Sequence, residues 1–453
     1  MRTRICGLVT MLFMTSAMLI PACCMYGQDT APAEVAPAAT PVAPAPVFQA
    51  PAVTPDTEIF KRTPIIDGVV EDGEWDVYYS FNTGDWQITT YADWDKGNLY
   101  VAAKSNRPID LLTILDADND GWFHGDDNYD FRAIRTSGDS LSLAVARYES
   151  RNTKSPVASP VSPQEASLVE IKSTRSEGAY MIEMRIPGAL VKDMKLNSGR
   201  KIGFQIAVKA MEGESGWVPN AELGDTKECR LTNIKVAALK PLELGFDLRT
   251  STIARGDELV GKFHITNAGN ETIDVQSFVV AGEGKAGEYM GSEKVRVDKI
   301  DPKKHMSHEV RSVILSSMRT GSWAMGAEVR SASGRIGSAL VSFDVVEPFE
   351  VELKLPEWQV RTDVKDVTFG VVVINNRRDS VRGKAKITLP TGWELWRGHD
   401  TFEFIASGMG NIGTCSFKAK PPLGALGDVP VKIDVTVDGI TKTVEGKIVL
   451  VNP

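Results

Sequence analysis

The densest concentration of reactive groups in this 453-residue chain is DADNDGWFHGDDNYDF, from Asp116 to Phe131. Six aspartates crowd there around two glycines, His124 and Trp122. Asp116, Asp118 and Asp120 followed by Gly121 reproduce the first half of a D-x-D-x-D-G calcium loop, in which a glycine turn lets alternate carboxylates converge. In the helical version of that loop a bidentate Glu closes the twelfth position. Here that place is taken by Asp127 and the flanks have strand character, so the segment is not an EF-hand. Carboxylates ~6 Å apart repel by roughly 1–3 kcal/mol per pair, a penalty that a bound cation removes. A solvated acidic turn, its aspartates capping backbone NH groups, is the competing reading. Asp126, Asp127 and Asn128 also have the reach to hydrogen-bond a sugar hydroxyl.

Flat aromatic side chains beside short polar ones suit the CH-rich faces and hydroxyls of a carbohydrate. Trp122, in the acidic loop, and Trp217, in GESGWVPNAELGD, are the leading candidates for such a clamp, with Trp94 and Trp86 behind them. Trp75, Trp323, Trp358, Trp393 and Trp396 are assigned to cores or to the later domains, since burial is the default for tryptophan.

Catalytic patterns are missing from the sequence. Its five histidines, His124, His264, His305, His308 and His399, accompany no G-x-S-x-G elbow and no H-E-x-x-H pair. His305 and His308 form an H-x-x-H spacing on a charged, surface-type segment. The glycines of Gly408 to Gly413 match G-x-G-x-x-G, but a strand pattern follows where a dinucleotide site needs a helix. Arg255-Gly256-Asp257 is taken as a turn before a strand. The chain is therefore expected not to be an enzyme.

Period-two alternation dominates from residue 57 onward, as in half-buried antiparallel strands. Tyr180, Ile182, Met184 and Ile186 oppose Glu183 and Arg185, and Ile202, Phe204, Ile206 and Val208 oppose Lys201, Gln205 and Lys209. Further on, DELVGKFHITN (Asp257 to Asn267) aligns with DVTFGVVVINN (Asp366 to Asn376), a repeat of roughly 109 residues that fits tandem sandwiches. Asp438-Gly439 between two alternating runs signals a hairpin.

At the N-terminus, Arg2 and Arg4 precede an apolar stretch from Ile5 to Ala22, the pattern of a secretory signal. Leu19-Ile20-Pro21-Ala22-Cys23 resembles a bacterial lipobox with Cys23 as the lipidated residue; ordinary cleavage near Ala22 is the alternative. A Pro- and Ala-rich stretch to Asp56 suits an extended tether. Outside the signal region only Cys229 and Cys415 remain, so no disulfide framework is available. A formal charge of −8 gives no driving force toward a polyanion, which excludes nucleic acid as the expected partner.

IDGVVEDGEWD (Ile66 to Asp76), YADWDKGNLYVAAK (Tyr91 to Lys104), GWFHGDDNYDF (Gly121 to Phe131), YMIEMRIP (Tyr180 to Pro187) and GRKIGFQIAV (Gly199 to Val208) together resemble the family 9 carbohydrate-binding modules and their DOMON-like relatives. That resemblance implies a β-sandwich that binds sugars by aromatic stacking, often with structural calcium. LPTGWELW (Leu389 to Trp396) is similar to immunoglobulin-like domains that accompany carbohydrate-active proteins. Some DOMON-like relatives hold haem, which would fall to Met211 and His124.

The expected architecture is all-β: a signal segment over 1–22, a linker over 23–56, a family 9-like sandwich over 57–240 and immunoglobulin-like sandwiches over 241–346 and 347–453. The expected function is that of an exported bacterial protein, secreted or in the cell envelope, lipid-anchored if Cys23 is modified. It would bind an oligosaccharide or polysaccharide without altering it. A structural or adhesive surface scaffold with envelope protein partners is the rival.

Overall fold

The computed structural model describes residues 58–83, 85–121, 125–136, 140–149, 157–211, 216–218, 226–239, 241–283, 291–356 and 359–452. The signal and linker expectations, Cys23, Trp122, His124 and Trp358 lie outside them. Within them the chain is all-β, and its one α-helix is the four-residue Pro163–Ala166, closed at its start by a Ser162/Glu165 capping box. No helix among the described residues is long and apolar enough to cross a membrane.

The first sandwich is built from β1 (Glu58–Lys61), β2 (Val77–Thr83), β3 (Trp86–Trp94), β4 (Asn98–Ser105), β5 (Ile109–Asp116), β6 (Asn128–Arg135), β7 (Leu141–Glu149), β8 (Val157–Pro160), β9 (Glu170–Ser176), β10 (Ala179–Pro187), β11 (Lys201–Ala210) and β12 (Lys227–Thr232). They form one continuous sheet in the order β8-β7-β6-β5-β11-β12-β1-β3-β4-β10-β9, with β2 beside β3. Two layers result from folding this sheet over a core that includes Leu99, Val101, Leu111, Leu115, Phe131, Val145, Ile182, Phe204 and Ile206. β1 stitches the layers together, pairing in parallel with both β12 and β3.

The IDGVVEDGEWD motif caps the outer face of the β4/β10 layer. Val70 and Trp75 pack on Tyr100, Ala102 and Met181, and the Glu183 carboxylate accepts the backbone NH groups of Gly68 and Asp67 at 2.6 and 3.0 Å. Gly68 is required twice over: its φ is +96°, and a Cβ would meet Thr174 Oγ1 at 2.7 Å. Glu74 accepts the Ile65 NH, Asp93 accepts the Asp76 NH, and Arg62 donates to the Gly73 carbonyl. Glu183 was expected on a solvent face; beneath the cap it is fully buried. Loss of water, with Glu74 and Asp67 nearby, pushes its carboxyl up to about 7.

The middle sandwich packs the sheet containing Ser277–Glu283, Gly321–Ser331 and Gly334–Val346 against the one made by Leu242–Leu248, Glu258–Asn267 and His305–Val313. Ile234–Ala238 already pairs with Gly334–Val346, so this sheet begins before residue 241. The last sandwich faces a sheet centred on Val367–Asn375 and Ile412–Lys420 with one centred on Val381–Thr388, Gly427–Val437 and Ile440–Val451. Asp438 and Gly439 turn the final hairpin with φ of 48° and 81°. Of the Gly408 to Gly413 motif, expected as a loop, only Gly408 to Asn411 is one, with the Gly410 NH on the Asn375 carbonyl, while Ile412 and Gly413 open the strand Ile412–Lys420.

The internal repeat is present, but one residue out of step with its identity alignment. Asn267 is fully buried and donates to the Glu271 and Ile300 carbonyls while accepting the Gly269 NH. Asn375, not Asn376, does the same: it donates to Asp379, Ala406 and Ser407 and accepts the Arg377 NH. Matching Gly261 to Gly370 instead would turn every inward side chain outward, which a strand cannot tolerate.

The sandwiches dock on one another through buried groups. Phe60 clusters with Ala324 and Leu340, Lys61 pairs with Asp344 at 2.6 Å, and the Ser322 hydroxyl donates to the same carboxylate. Asp257, the acidic residue of the RGD tripeptide, is nearly buried and holds Arg377 and the Arg378 NH of the last sandwich.

Candidate functional site

Strand β5 ends and β6 begins at an acidic turn. Asp116 sits opposite Gly203 on one side and Asn128 on the other. A Cβ at Gly203 would come within 2.8 Å of Asp116 Cβ, so only glycine lets this carboxylate lie over β11. Asp116 accepts the Asn119 and Gly121 NH groups at 2.8 and 3.0 Å, and Asp118 accepts the Asp120 NH at 3.0 Å. Asn119 and Gly121 both take positive φ, which keeps the turn tight and alternate carboxylates on one side.

As a result, oxygens of Asp116, Asp118 and Asp120 lie within 4.8 Å of one another. Asp127 is fully buried; loss of water raises its carboxyl to about 6, with further pressure from Asp118 and Asp116. Asp116 is raised first by burial as well, then by Asp120 and Asp118. The backbone NH bonds realise the capped-turn reading. They occupy only part of each carboxylate, which offers about four lone-pair sites, so the donor set also fits an oxygen-seeking cation such as calcium. Asp126 instead pairs with Lys192, which holds it below the usual carboxylate range. Asn128 is buried at the start of β6.

Beside the turn lies the outer face of β11, β5, β6 and β7, whose register sets side chains in rows. Gln205, Ile114, Asp130 and Ala146 form one row, and Ala207, Leu112, Arg132 and Ala144 the next. Trp217 is half-buried and packs on Leu112, Ile114 and Ala207. It is fixed there by Val218, which exchanges two backbone hydrogen bonds with Val208 at 2.9 and 2.7 Å. Asp130 accepts from Arg132 at 2.7 Å and from the Tyr148 hydroxyl at 2.8 Å, and burial together with that carboxylate raises the Tyr148 hydroxyl. Arg132 keeps 44% of its side chain exposed. From Asp130 and Arg132 a groove of about 720 Å³ runs past Ala146 and Pro160 to Pro163.

Of the predicted aromatic contacts, the structure places Trp217 on this face. Trp94 is a correction: it is 2% exposed in the core and donates its indole NH to the Ile59 carbonyl, so neither ring face is open to a ligand. Trp86 is buried likewise, with its NH on Ser105 Oγ, and Trp75 is core under the cap. Gln205, Asp130, Arg132 and Tyr148 were not singled out from sequence. Their signal was the Asp-x-Arg pair at 130 and 132, two polar groups on the outward phase of a strand whose other phase is Tyr129, Phe131 and Ala133. Cys229 and Cys415 are buried in separate cores and neither is in a disulfide among the described residues.

No family model matches the chain, and no curated protein does. Solved structures with partial likeness include a family 9 carbohydrate-binding module from Caldicellulosiruptor kristjanssonii in complex with cellotriose, at 17% identity and a TM-score of 0.27, covering 39% of this chain and 93% of the module. Red sea bream transglutaminase aligns at 11% identity and a TM-score of 0.27, over 77% of this chain and 58% of that enzyme. Escherichia coli alpha-2-macroglobulin aligns at 10% identity and 0.22, over 82% of this chain and 33% of that protein. The chain thus spans less than two thirds of the transglutaminase and the macroglobulin. At these scores none of the three bears on function.

Proposed function

We propose that the first sandwich binds a carbohydrate without altering it, on the outer face of β11, β5, β6 and β7. One observation carries this: a half-buried tryptophan, Trp217, laid on the apolar patch Leu112, Ile114 and Ala207, in the rows that also hold Asp130 and Arg132. An indole face stacks on the CH surface of a pyranose, and convergent polar groups fix its hydroxyls. Arg132, its side chain 44% exposed, is the donor, and Asp130 holds it in place. Trp122, from the acidic loop, supplies the second ring of the clamp. Asp126 contacts hydroxyls at its edge, whereas Asn128, buried at the start of β6, is not within reach of the sugar.

Calcium at Asp116, Asp118, Asp120 and Asp127 rigidifies the loop that presents the site. The mature chain is exported to the cell envelope or medium, through Cys23 lipidation or ordinary cleavage, and the Pro- and Ala-rich tether spaces the binding face from its anchor. The test is a glycan array on the mature chain, with and without chelator. Binding that falls in Trp217→Ala and Arg132→Ala supports the reading. Equal binding in a folded Trp122→Ala, Trp217→Ala double variant overturns it and leaves the scaffold alternative, which the buried docking of Phe60 on Leu340 favours.

A further inference from the structure

The middle sandwich carries a pair of imidazoles that the sugar-binding reading does not use. His264 lies on Glu258–Asn267 and His305 opens His305–Val313, adjacent antiparallel strands in which Thr266 is directly opposite His305. The sequence spacing suggested His308 as the neighbour of His305; the fold makes it His264, while His308 turns to Glu293 and the edge of Phe278. The two rings stack at 5.3 Å with a 27° tilt, and His264 Nδ1 faces His305 Nε2 at 3.4 Å.

The remaining nitrogens each lie near an oxygen, and only that of His305 is hydrogen-bonded. His305 Nδ1 is 3.0 Å from Thr266 Oγ1, and His264 Nε2 is 3.0 Å from a carboxylate oxygen of Asp247. The Asp247 carboxylate stands beside Nε2 without accepting a hydrogen bond from it, and Nδ1 is a lone pair in the Nε2–H tautomer. A hydroxyl at His305 Nδ1 can donate or accept, so His305 Nε2 is an N–H or a lone pair at the cost of a tautomer change. Two nitrogens bound ~2.1 Å from one ion at a tetrahedral angle stand about 3.4 Å apart, the spacing observed. Metal-bound histidines also characteristically give their other nitrogen to a carboxylate or another oxygen, as His305 does to Thr266, while a carboxylate oxygen of Asp247 stands 3.0 Å from His264 Nε2. Opposite His264 the neighbouring strand carries Gly245, so no side chain covers the ring from that direction.

The geometry points to a surface site for a borderline divalent transition ion of the zinc, nickel and copper class, held by His264 Nδ1 and His305 Nε2 in place of the proton between them. Water completes the shell, and Asp247 and Thr266 are positioning residues. Nitrogen donors separate this site from the all-oxygen turn of the first sandwich, which suits calcium.

The experiment is a zinc titration of the full chain, stripped of metal and saturated with calcium, followed by calorimetry. One zinc equivalent is expected to bind. His264→Gln and His305→Gln should each weaken it at least about tenfold, Asp247→Asn by about tenfold, and Asp118→Asn not at all. Zinc binding that is absent, that survives both histidine variants, or that disappears with Asp118→Asn overturns the assignment. So does a proton bridging the two imidazoles that persists in nitrogen-15 spectra at saturating zinc. Should His264→Gln fail to fold, His305→Gln carries the test, because His305 is exposed. None of these outcomes depends on whether the first sandwich binds sugar.

Discussion

Two acid-rich stretches of the first sandwich have opposite fates. Where the opening cap meets the sheet, buried carboxylates find backbone NH groups: Glu183 of β10 takes Asp67 and Gly68, Glu74 takes Ile65, and Asp93 of β3 takes Asp76. In the turn between β5 and β6, the carboxylates of Asp116, Asp118 and Asp120 converge on one another. Richness in Asp and Glu therefore does not mark a ligand site. What matters is whether the opposing strand supplies donors, as the cap's NH groups do for Glu183, or more negative charge, as Asp127 does for the turn.

The largest expected effect belongs to the cap. Glu183→Ala leaves two buried NH groups without their acceptor and opens a void, so it should cost about 3 kcal/mol in urea unfolding of the first sandwich. A cost under ~1 kcal/mol would mean the cap is held by its apolar contacts alone.

The pH dependence comes next. Glu183 ionises at about 7 when folded against an ordinary 4.5, so the native state keeps a proton that the unfolded chain releases. Stability is full below the unfolded value and falls as pH rises from about 4.5 to 7, by on the order of 3 kcal/mol. Glu183→Gln keeps an acceptor for both NH groups and should flatten that slope. A slope unchanged in the variant would place the titration elsewhere.

For the turn, calcium at a hundredfold excess over its dissociation constant should stabilise the chain by about 2.7 kcal/mol. It should also remove the share of the pH slope that Asp127 contributes between about 4 and 6. Asp118→Asn should abolish the shift in melting temperature; a turn indifferent to calcium is a capped turn only. Smallest of all is Lys192→Ala. Its exposed, solvent-screened pair with Asp126 is expected to leave the melting temperature unchanged, and a measurable fall would show that Asp126 belongs to the turn's electrostatics.

Alternation made the sandwiches legible, because a strand buried on one face writes that face into every second residue. It did not show which outward faces are covered a second time. Glu183 and Gln205 sit on the polar phase of their strands yet are buried, since the cap lies over one and the face holding Trp217 surrounds the other. Trp94 and Trp217 likewise look alike in sequence, each near turn residues. Their difference lies in the partner of the indole ring: Trp94 reaches the Ile59 carbonyl across the stitch made by β1, a contact distant in the chain. The repeat misleads by one residue because glycine and asparagine identities outscore the inward phase that packing enforces. Nor does any local pattern announce the pairing of Lys61 with Asp344 or of His264 with His305.

β1 has a mechanical consequence. It is the first described strand, is bonded in parallel on both edges, and carries Phe60 and Lys61 into the middle sandwich. Tension applied at Glu58 along the strand axis loads both ladders in shear, so their hydrogen bonds must yield together rather than unzip singly. The same pull reaches the second sandwich through Leu340 and Asp344 before the first has opened.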